Sequence, residues 1–252
     1  MAGSSLDSIL QEGLIVDRKW LHDKGFYRPT VDYYLRLGKL KAVARGVYRK
    51  PGPPLKWESI VYSLSLLGYH VHVGHKTALS RHGYRHYLSL GSNNKVRLYS
   101  DKKLPHWINN VEGKYRFLVM ARNPFPGSDI GIEEIPFGTW DWPIKYSMPE
   151  RAFLELLSTL KKAEEIENAE LIMEGASNLR PSQIQSLLEE CRQVKAKRLF
   201  LWLGREQRHP WFEHIDLTKI DLGKGKRQIV KGGILDEEYL ITVPGKNENE
   251  PI

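Results

Sequence analysis

The sequence predicts an α+β chain in which an N-terminal winged helix-turn-helix precedes a larger mixed α/β C-terminal domain. Three observations lead there. Arg28 to Lys50 reads as a helix, a tight turn and a cationic β-hairpin. Pro51-Gly52-Pro53-Pro54 follows at once as a stiff break. Beyond it, short strand-like segments give way at Pro149 to a run of amphipathic helices.

Within the first stretch, Pro29 presets a first-turn dihedral and Thr30 is a candidate cap. Val31, Tyr34, Leu35 and Leu37 recur at helical spacing, and Gly38 supplies a left-handed stop. Leu40, Val43 and Val47 then offer packing positions on strands, with Arg45-Gly46 as the hairpin turn. Upstream, Leu6, Ile9 and Leu10 make a short helix and Leu14-Ile15-Val16 a brief strand able to pair with the hairpin. Asp17 caps a helix that Gly25 ends. Three helices and a hairpin in residues 1–50 have the plan of one winged helix-turn-helix. Residues 51–56 are the linker, 57–244 the C-terminal domain, and 245–252 a disordered tail.

The C-terminal domain opens with an apolar helical stripe (Trp57, Ile60, Val61, Leu64, Leu67). Strands are expected over 69–147, helices over 149–203 and a basic hairpin over 222–243. Pro149 and Pro181 stand at first helical positions, and Glu150 adds a negative charge where the helix dipole favours one.

Composition excludes several classes. No apolar run approaches the roughly 20 residues that span a bilayer, and the N-terminal MAGSSLDSIL lacks the basic flank and apolar run of a signal peptide, so a cytoplasmic protein without membrane contact is expected. The single cysteine, Cys191, rules out an internal disulfide and reads as a small buried group. The net charge of +8 is uneven: Met1–Lys56 holds 11 Lys/Arg against 5 Asp/Glu, and Lys195–Gly232 holds 10 against 4. Two cationic regions imply two anion-facing surfaces, although the second also fits a helix and loop that are merely solvated.

Candidate sites follow from that distribution. Thr30, Tyr33 and Arg36 share a side of the expected recognition helix and Arg28 stands at its N-terminal end, where base edges are usually met; all four are assigned to base readout. Lys39, Lys41, Arg45, Arg49 and Lys50 are assigned to phosphates. The same fold also serves as a protein-protein adaptor; the basic balance favours double-stranded DNA. A second basic surface is expected from Lys195, Lys197, Arg198, Lys224, Lys226 and Arg227. Its Leu222-Gly223-Lys224-Gly225-Lys226-Arg227 segment sets glycine amides beside cations, a chemistry suited to phosphate.

Metal and catalytic motifs are weak. His70, His72, His75, His82 and His86 cluster, with His82 and His86 four apart, yet Gly83 breaks the helix between them and no carboxylate lies close, so no metal site is expected. Gly127-Ser128 followed by Asp141 resembles the start of a nucleotidyltransferase signature, but Pro143 stands where its second carboxylate belongs. No P-loop, GxSxG or dinucleotide fingerprint is present, and no cofactor is expected. A nucleic-acid-processing enzyme would have to draw on Glu133, Glu134 and Asp141.

A family resemblance covers nearly the whole chain. Trp20-Leu21-x-x-x-Gly25, Tyr34, Gly38-Lys39-Leu40 and Arg45-Gly46-Val47-Tyr48 resemble the N-terminal winged helix of the AbiEi antitoxins. Gly74-His75-Lys76-Thr77-Ala78-Leu79 with Gly83-Tyr84-x-His86 resembles that family's GGKTAL and GYxH segment, His75 standing in place of glycine. Pro149-Glu150-Arg151-Ala152, Leu187-Leu188-Glu189-x-Cys191, His209-Pro210-Trp211, the 222–227 segment and Tyr239 to Pro244 resemble its C-terminal domain. The resemblance implies a bifunctional, non-enzymatic protein of a type IV toxin-antitoxin, abortive-infection system. Its N-terminal domain would repress its own operon at promoter inverted repeats, as a monomer in solution that assembles on DNA. Its C-terminal domain would counteract a nucleotidyltransferase-like toxin without a stable complex.

Overall fold

The computed structural model describes residues 5–84, 94–111 and 115–245. His86 and the tail beyond Gly245 lie outside them. The chain is mixed α and β. In order it forms α1 (Leu6–Ile9), β1 (Ile15–Asp17), α2 (Arg18–Asp23), α3 (Arg28–Arg36), β2 (Lys41–Ala44), β3 (Val47–Arg49), α4 (Trp57–Leu66), β4 (Val71–Val73) and α5 (His75–Arg81). There follow β5 (Lys95–Ser100), a 3-10 turn at His106–Asn109, β6 (Arg116–Val119), β7 (Ile132–Phe137) and β8 (Trp142–Ser147). The helices α6 (Pro149–Thr159), α7 (Ala163–Glu174), α8 (Pro181–Glu190) and α9 (Val194–Glu206) come next. Two further 3-10 turns, at Pro210–His214 and Leu217–Lys219, precede β9 (Ile234–Asp236) and β10 (Ile241–Val243).

Three sheets are present among the described residues: β1-β3-β2, β10-β9, and a five-stranded sheet in the order β6-β5-β4-β8-β7 with β5 parallel to β6 and β4 parallel to β8. Contacts divide the chain into two compact units. Unit 1 holds Met1–His72, Asn94–Met120 and Glu134–Lys145; unit 2 holds Val73–Asn93, Ala121–Glu133 and Tyr146–Ile252.

In unit 1 the local signals act as expected at most ends. The Asp17 carboxylate accepts from the Trp20 amide at 2.7 Å and starts α2. Gly25 (φ +85°) closes α2 and Gly38 (φ +69°) closes α3, each in a left-handed cap whose following amide reaches back five residues, Phe26 to Leu21 and Lys39 to Tyr34. Thr30 does not cap. The helix opens at Arg28, with Tyr27 at the cap position and Thr30 already inside the first turn. The hairpin turns at Arg45-Gly46, with Ala44 opposite Val47 and Gly46 at φ +72°. Leu14–Val16 does contribute a strand: β1 lies antiparallel to β3, Val16 facing Tyr48, so β3 is the middle strand of three.

The core under these elements is wider than the first fifty residues. Leu6, Leu10, Leu14, Val16, Leu21, Phe26, Val31, Leu40 and Tyr48 cluster with Trp142 of β8, and Tyr62 and Leu66 of α4 and Phe137 of β7 pack on them. The Trp142 ring stacks on Tyr62 (centroids 5.3 Å apart, planes 7° apart), and its Nε1–H donates to Gln11 Oε1 at 2.8 Å. A Cβ on Gly13, at φ +91°, would stand 3.2 Å from that ring. Leu37, expected to pack, is 51% exposed.

Unit 2 is built around α6, which is buried on every side from Glu150 to Ser158. A helix without a wet face must satisfy its own polar groups. Arg151 Nε meets Glu155 Oε1 at 3.0 Å, and its Nη1 donates to the carbonyls of Ser128 and Ile130. Glu155 also accepts from the Ser147 hydroxyl and from the His75 amide. Glu150 is held by the Arg180 guanidinium and amide. Gly127-Ser128, suggestive in sequence of nucleotide transfer, thus belongs to the loop that Arg151 grips.

Three histidines of the cluster, His72, His75 and His82, have structural surroundings. His75 is buried in the left-handed region (φ +56°). The Lys76 amide donates to its Nδ1, so the proton sits on Nε2 and is donated to Thr159 Oγ1 at 2.9 Å. His72 stacks on Tyr99, and His82 contacts the Ser147 carbonyl and Glu133. Cys191 is buried, and desolvation pushes its thiol pKa up. Among the described residues no three His, Cys, Asp or Glu side chains come together as metal ligands, and no helix is long and apolar enough to cross a membrane.

Candidate nucleic-acid interface

Helix α3 buries Val31 and half-buries Tyr34 and Leu35 against the unit 1 core, which turns its other side outward. Arg28, Asp32 and Arg36 form one exposed row at i, i+4 and i+8; Tyr33 and Leu37 form a second. Tyr33 is 51% exposed, and Tyr27, just before the helix, is 57% exposed. Asp32 stands between the two arginines: its carboxylate lies 3.7 Å from Arg28 Nε, and its carbonyl accepts from Arg36 Nε at 3.4 Å. Thr30 is half-buried, so the readout positions Arg28, Tyr33 and Arg36 share an open face that Thr30 only borders.

Arg45 stands exposed at the hairpin tip, with Lys39 and Lys41 exposed at its base. The tip is fixed to the helices: the Arg18 amide donates to the Gly46 carbonyl, and the Arg18 guanidinium to the Tyr48 hydroxyl at 3.0 Å.

Two of the expected phosphate contacts are corrected. Arg49 is 3% exposed because β3 is the central strand, and its Nη2 donates to the carbonyls of Gly52 and Pro53. It fastens the proline-rich segment and does not face solvent. Lys50 is half-buried and donates to Asp7 Oδ1 at 2.5 Å, which holds the Asp7 carboxyl below its ordinary pKa. Residues passed over in sequence are Asp32 on the α3 face, the exposed Arg18 and Lys19 of α2, and Lys24 just after it. The spacing of Asp32 from Arg28 and Arg36 was a usable signal.

The second basic region splits in the same way. Lys197 and Arg198 are 3% and 2% exposed on α9, which is nearly all buried, so they do not form the expected surface. Arg198 donates from Nε to Leu222 O (2.7 Å), from Nη1 to Gly225 O and Leu240 O, and from Nη2 to Gly223 O. Burial, then the nearby Arg227, lowers its pKa from the ordinary arginine value. Lys195 is half-buried with Nζ on the Leu160 carbonyl. Lys224, Lys226 and Arg227 are exposed on the loop that Arg198 holds.

A mixed α+β chain with an exposed cationic helix face beside a cationic hairpin falls in the class of nucleic-acid-binding regulators. Family models carry that further. Residues 4–90 match "Transcriptional regulator, AbiEi antitoxin N-terminal domain" and residues 93–244 match "Transcriptional regulator, AbiEi antitoxin, Type IV TA system". The chain belongs to the AbiEi family of antitoxin transcriptional regulators. Among solved structures it is similar to the crystal structure of the RV2827C protein from Mycobacterium tuberculosis, with a TM-score of 0.57 and 12% identity over 91% of this chain and 86% of that one, a likeness of fold alone. Among curated proteins no match is found.

Proposed function

We propose that this protein is the antitoxin of a type IV abortive-infection system and represses its own operon from the cytoplasm. In this reading α2, α3 and the β2–β3 hairpin act as a winged helix-turn-helix on promoter inverted repeats, one copy per half-site, the chain being monomeric until it meets DNA. Arg28, Tyr33 and Arg36 contact base edges, while Lys39, Lys41 and Arg45 contact phosphates. The C-terminal part counteracts a nucleotidyltransferase-like toxin without a stable complex and performs no catalysis of its own.

The observation that carries the reading is the α3 face, which displays two arginines and a tyrosine to solvent while its opposite side is sealed in the core. Asp32 sharpens it, because in free protein its carboxylate holds Arg28 ready and on DNA it can accept from a cytosine amino group.

Binding of the purified chain to the promoter duplex and to a scrambled duplex over a salt series tests this. Arg36→Ala and Tyr33→Ala are expected to shrink the preference for the promoter sequence by about 10-fold, in line with about 1–3 kcal/mol for a good base contact. Arg45→Ala is expected to lower both affinities and the salt slope by about 1. Equal binding of both duplexes by the unaltered chain would refute specific repression, and no binding of either at low salt would point to a protein adaptor.

A further inference from the structure

We propose that Leu37, one turn beyond Tyr33 at the end of α3, is a specificity-determining residue that reads the C5-methyl group of thymine, so that each promoter half-site carries a thymine under the C-terminal end of the helix. The proposal rests on the reading of α3 as the groove-facing helix and adds to it a residue and a base.

Leu37 is 51% exposed although its spacing suits a core position. A single surface leucine needs no explanation, but this one stands in a cluster. Of the eight large hydrophobic residues exposed among the described ones, three, Tyr27, Tyr33 and Leu37, fall at α3. Each is held from behind. Tyr27 meets His22 of α2 edge-on with ring centroids 5.1 Å apart, and Tyr33 meets Tyr34 at 5.7 Å. The Leu37 amide donates to the Tyr33 carbonyl at 3.0 Å, the Gly38 amide donates to the Leu35 carbonyl at 3.1 Å, and Gly38 at φ +69° turns the chain away. The backbone that carries Leu37 is thus fixed before any ligand arrives.

Charge around this row selects its occupant. Arg28 and Arg36 flank it on the helix and Lys39 and Lys41 follow it, all exposed. The one acid of α3, Asp32, is engaged between the two arginines. Such a setting favours a polyanion over an apolar protein surface. On the polyanion that a transcriptional regulator meets, every base edge of the major groove offers donors or acceptors, and thymine alone adds an apolar group, its C5-methyl. A leucine side chain has no hydrogen-bonding atom, so thymine is the base that it can tell from the other three.

The helix is short enough to bring Leu37 to the bases. Arg28–Arg36 has 9 residues, about 13 Å at about 1.5 Å per residue, close to the roughly 12 Å width of the major groove. Its last turn therefore reaches base edges as well as its first. From Tyr33 to Leu37 the rise is about 6 Å, near two base steps of about 3.4 Å, which places the thymine about two base pairs from the base that Tyr33 meets.

The test uses the full chain and Leu37→Ala, with thermal melting to check the fold. Fluorescence anisotropy follows binding to the promoter duplex, to the same duplex with uracil in place of every thymine, and to one with 5-bromouracil, whose bromine fills the place of the methyl. A scrambled duplex, with thymine and with uracil, controls for altered stiffness. The parent is expected to bind the uracil promoter at least about 4-fold less tightly, the loss for one buried methyl, and to recover on 5-bromouracil. Leu37→Ala is expected to melt like the parent, to bind the thymine promoter about 4-fold less tightly, and to show a uracil penalty smaller than the parent's by about the same factor. A promoter preference that survives uracil unchanged, an equal penalty in parent and variant, or an equal penalty on the scrambled duplex overturns the proposal and leaves the α3 reading standing. Equal binding of the promoter and scrambled thymine duplexes by the parent ends both. Self-association of the parent that Leu37→Ala abolishes, beside an unchanged uracil penalty, assigns the row to a second copy of the chain and overturns the proposal.

Discussion

Trp142 lies more than ninety residues beyond α3, yet its removal is expected to destabilise the whole of unit 1. The ring is 5% exposed and belongs to the same core as Leu6, Val16, Leu21 and Val31. Truncating a buried tryptophan to alanine costs about 3–5 kcal/mol through lost transfer energy and the cavity left behind. The stack on Tyr62 and the Nε1–H bond to Gln11 fall within that loss, and together they place Trp142→Ala near its upper end, at about 4–5 kcal/mol. A domain has about 5–15 kcal/mol in all, so unit 1 would lose about a quarter of it or more. Urea titration followed by circular dichroism reads the change, and Trp142→Phe, which keeps a ring for Tyr62 to stack on, is expected to cost less than half as much. By the same logic a fragment of residues 1–56 should not fold cooperatively. A fragment that does so and binds the promoter duplex like the full chain, or a Trp142→Ala protein with the parent's urea midpoint, would refute the reasoning.

Three further outcomes follow from the polar contacts. Arg49→Ala is expected to destabilise unit 1 by about 1–3 kcal/mol, as a buried guanidinium holding Gly52 and Pro53 is lost, while leaving the salt slope of DNA binding unchanged; a lowered slope would return Arg49 to the interface. Glu155→Gln leaves Arg151 charged and buried without its partner, so unfolding titrations should show about 3–5 kcal/mol lost, and a neutral effect would mean that the neighbouring hydroxyl and carbonyls suffice. His209 is held below the ordinary histidine pKa by burial, with its Nε2–H on the Met173 carbonyl. A depressed folded pKa gives stability that is full above about 6.5 and falls as pH drops through the folded value. Unit 2 should therefore weaken from pH 7 toward pH 5, and His209→Gln should flatten that slope; a parent slope retained in the variant would exclude His209 as its cause.

The helix and strand inventory was legible because its signals are local. Asp17 before α2, Gly25 and Gly38 after α2 and α3, and Gly46 at the hairpin each act on the adjoining turn through one hydrogen bond or one left-handed dihedral. The charges were harder. Arg45 and Arg49 read alike in sequence, four residues apart on a basic hairpin, and only the insertion of β3 between β1 and β2 separates an exposed cation from a buried strut. Lys197 and Arg198 read as one basic surface with Lys224 to Arg227, and only the burial of α9 turns Arg198 inward to hold the loop on which those cations stand.

Residue order alone therefore decided where most elements begin and end, how much positive charge each region carries, and the family, since capping, turn chemistry and composition are properties of neighbours in the chain. Folding decided which cations meet solvent and that a tryptophan from β8 completes the core beneath α3. Burial depends on which distant segments lie alongside, and an arginine's role changes from ligand to scaffold once carbonyl oxygens surround it.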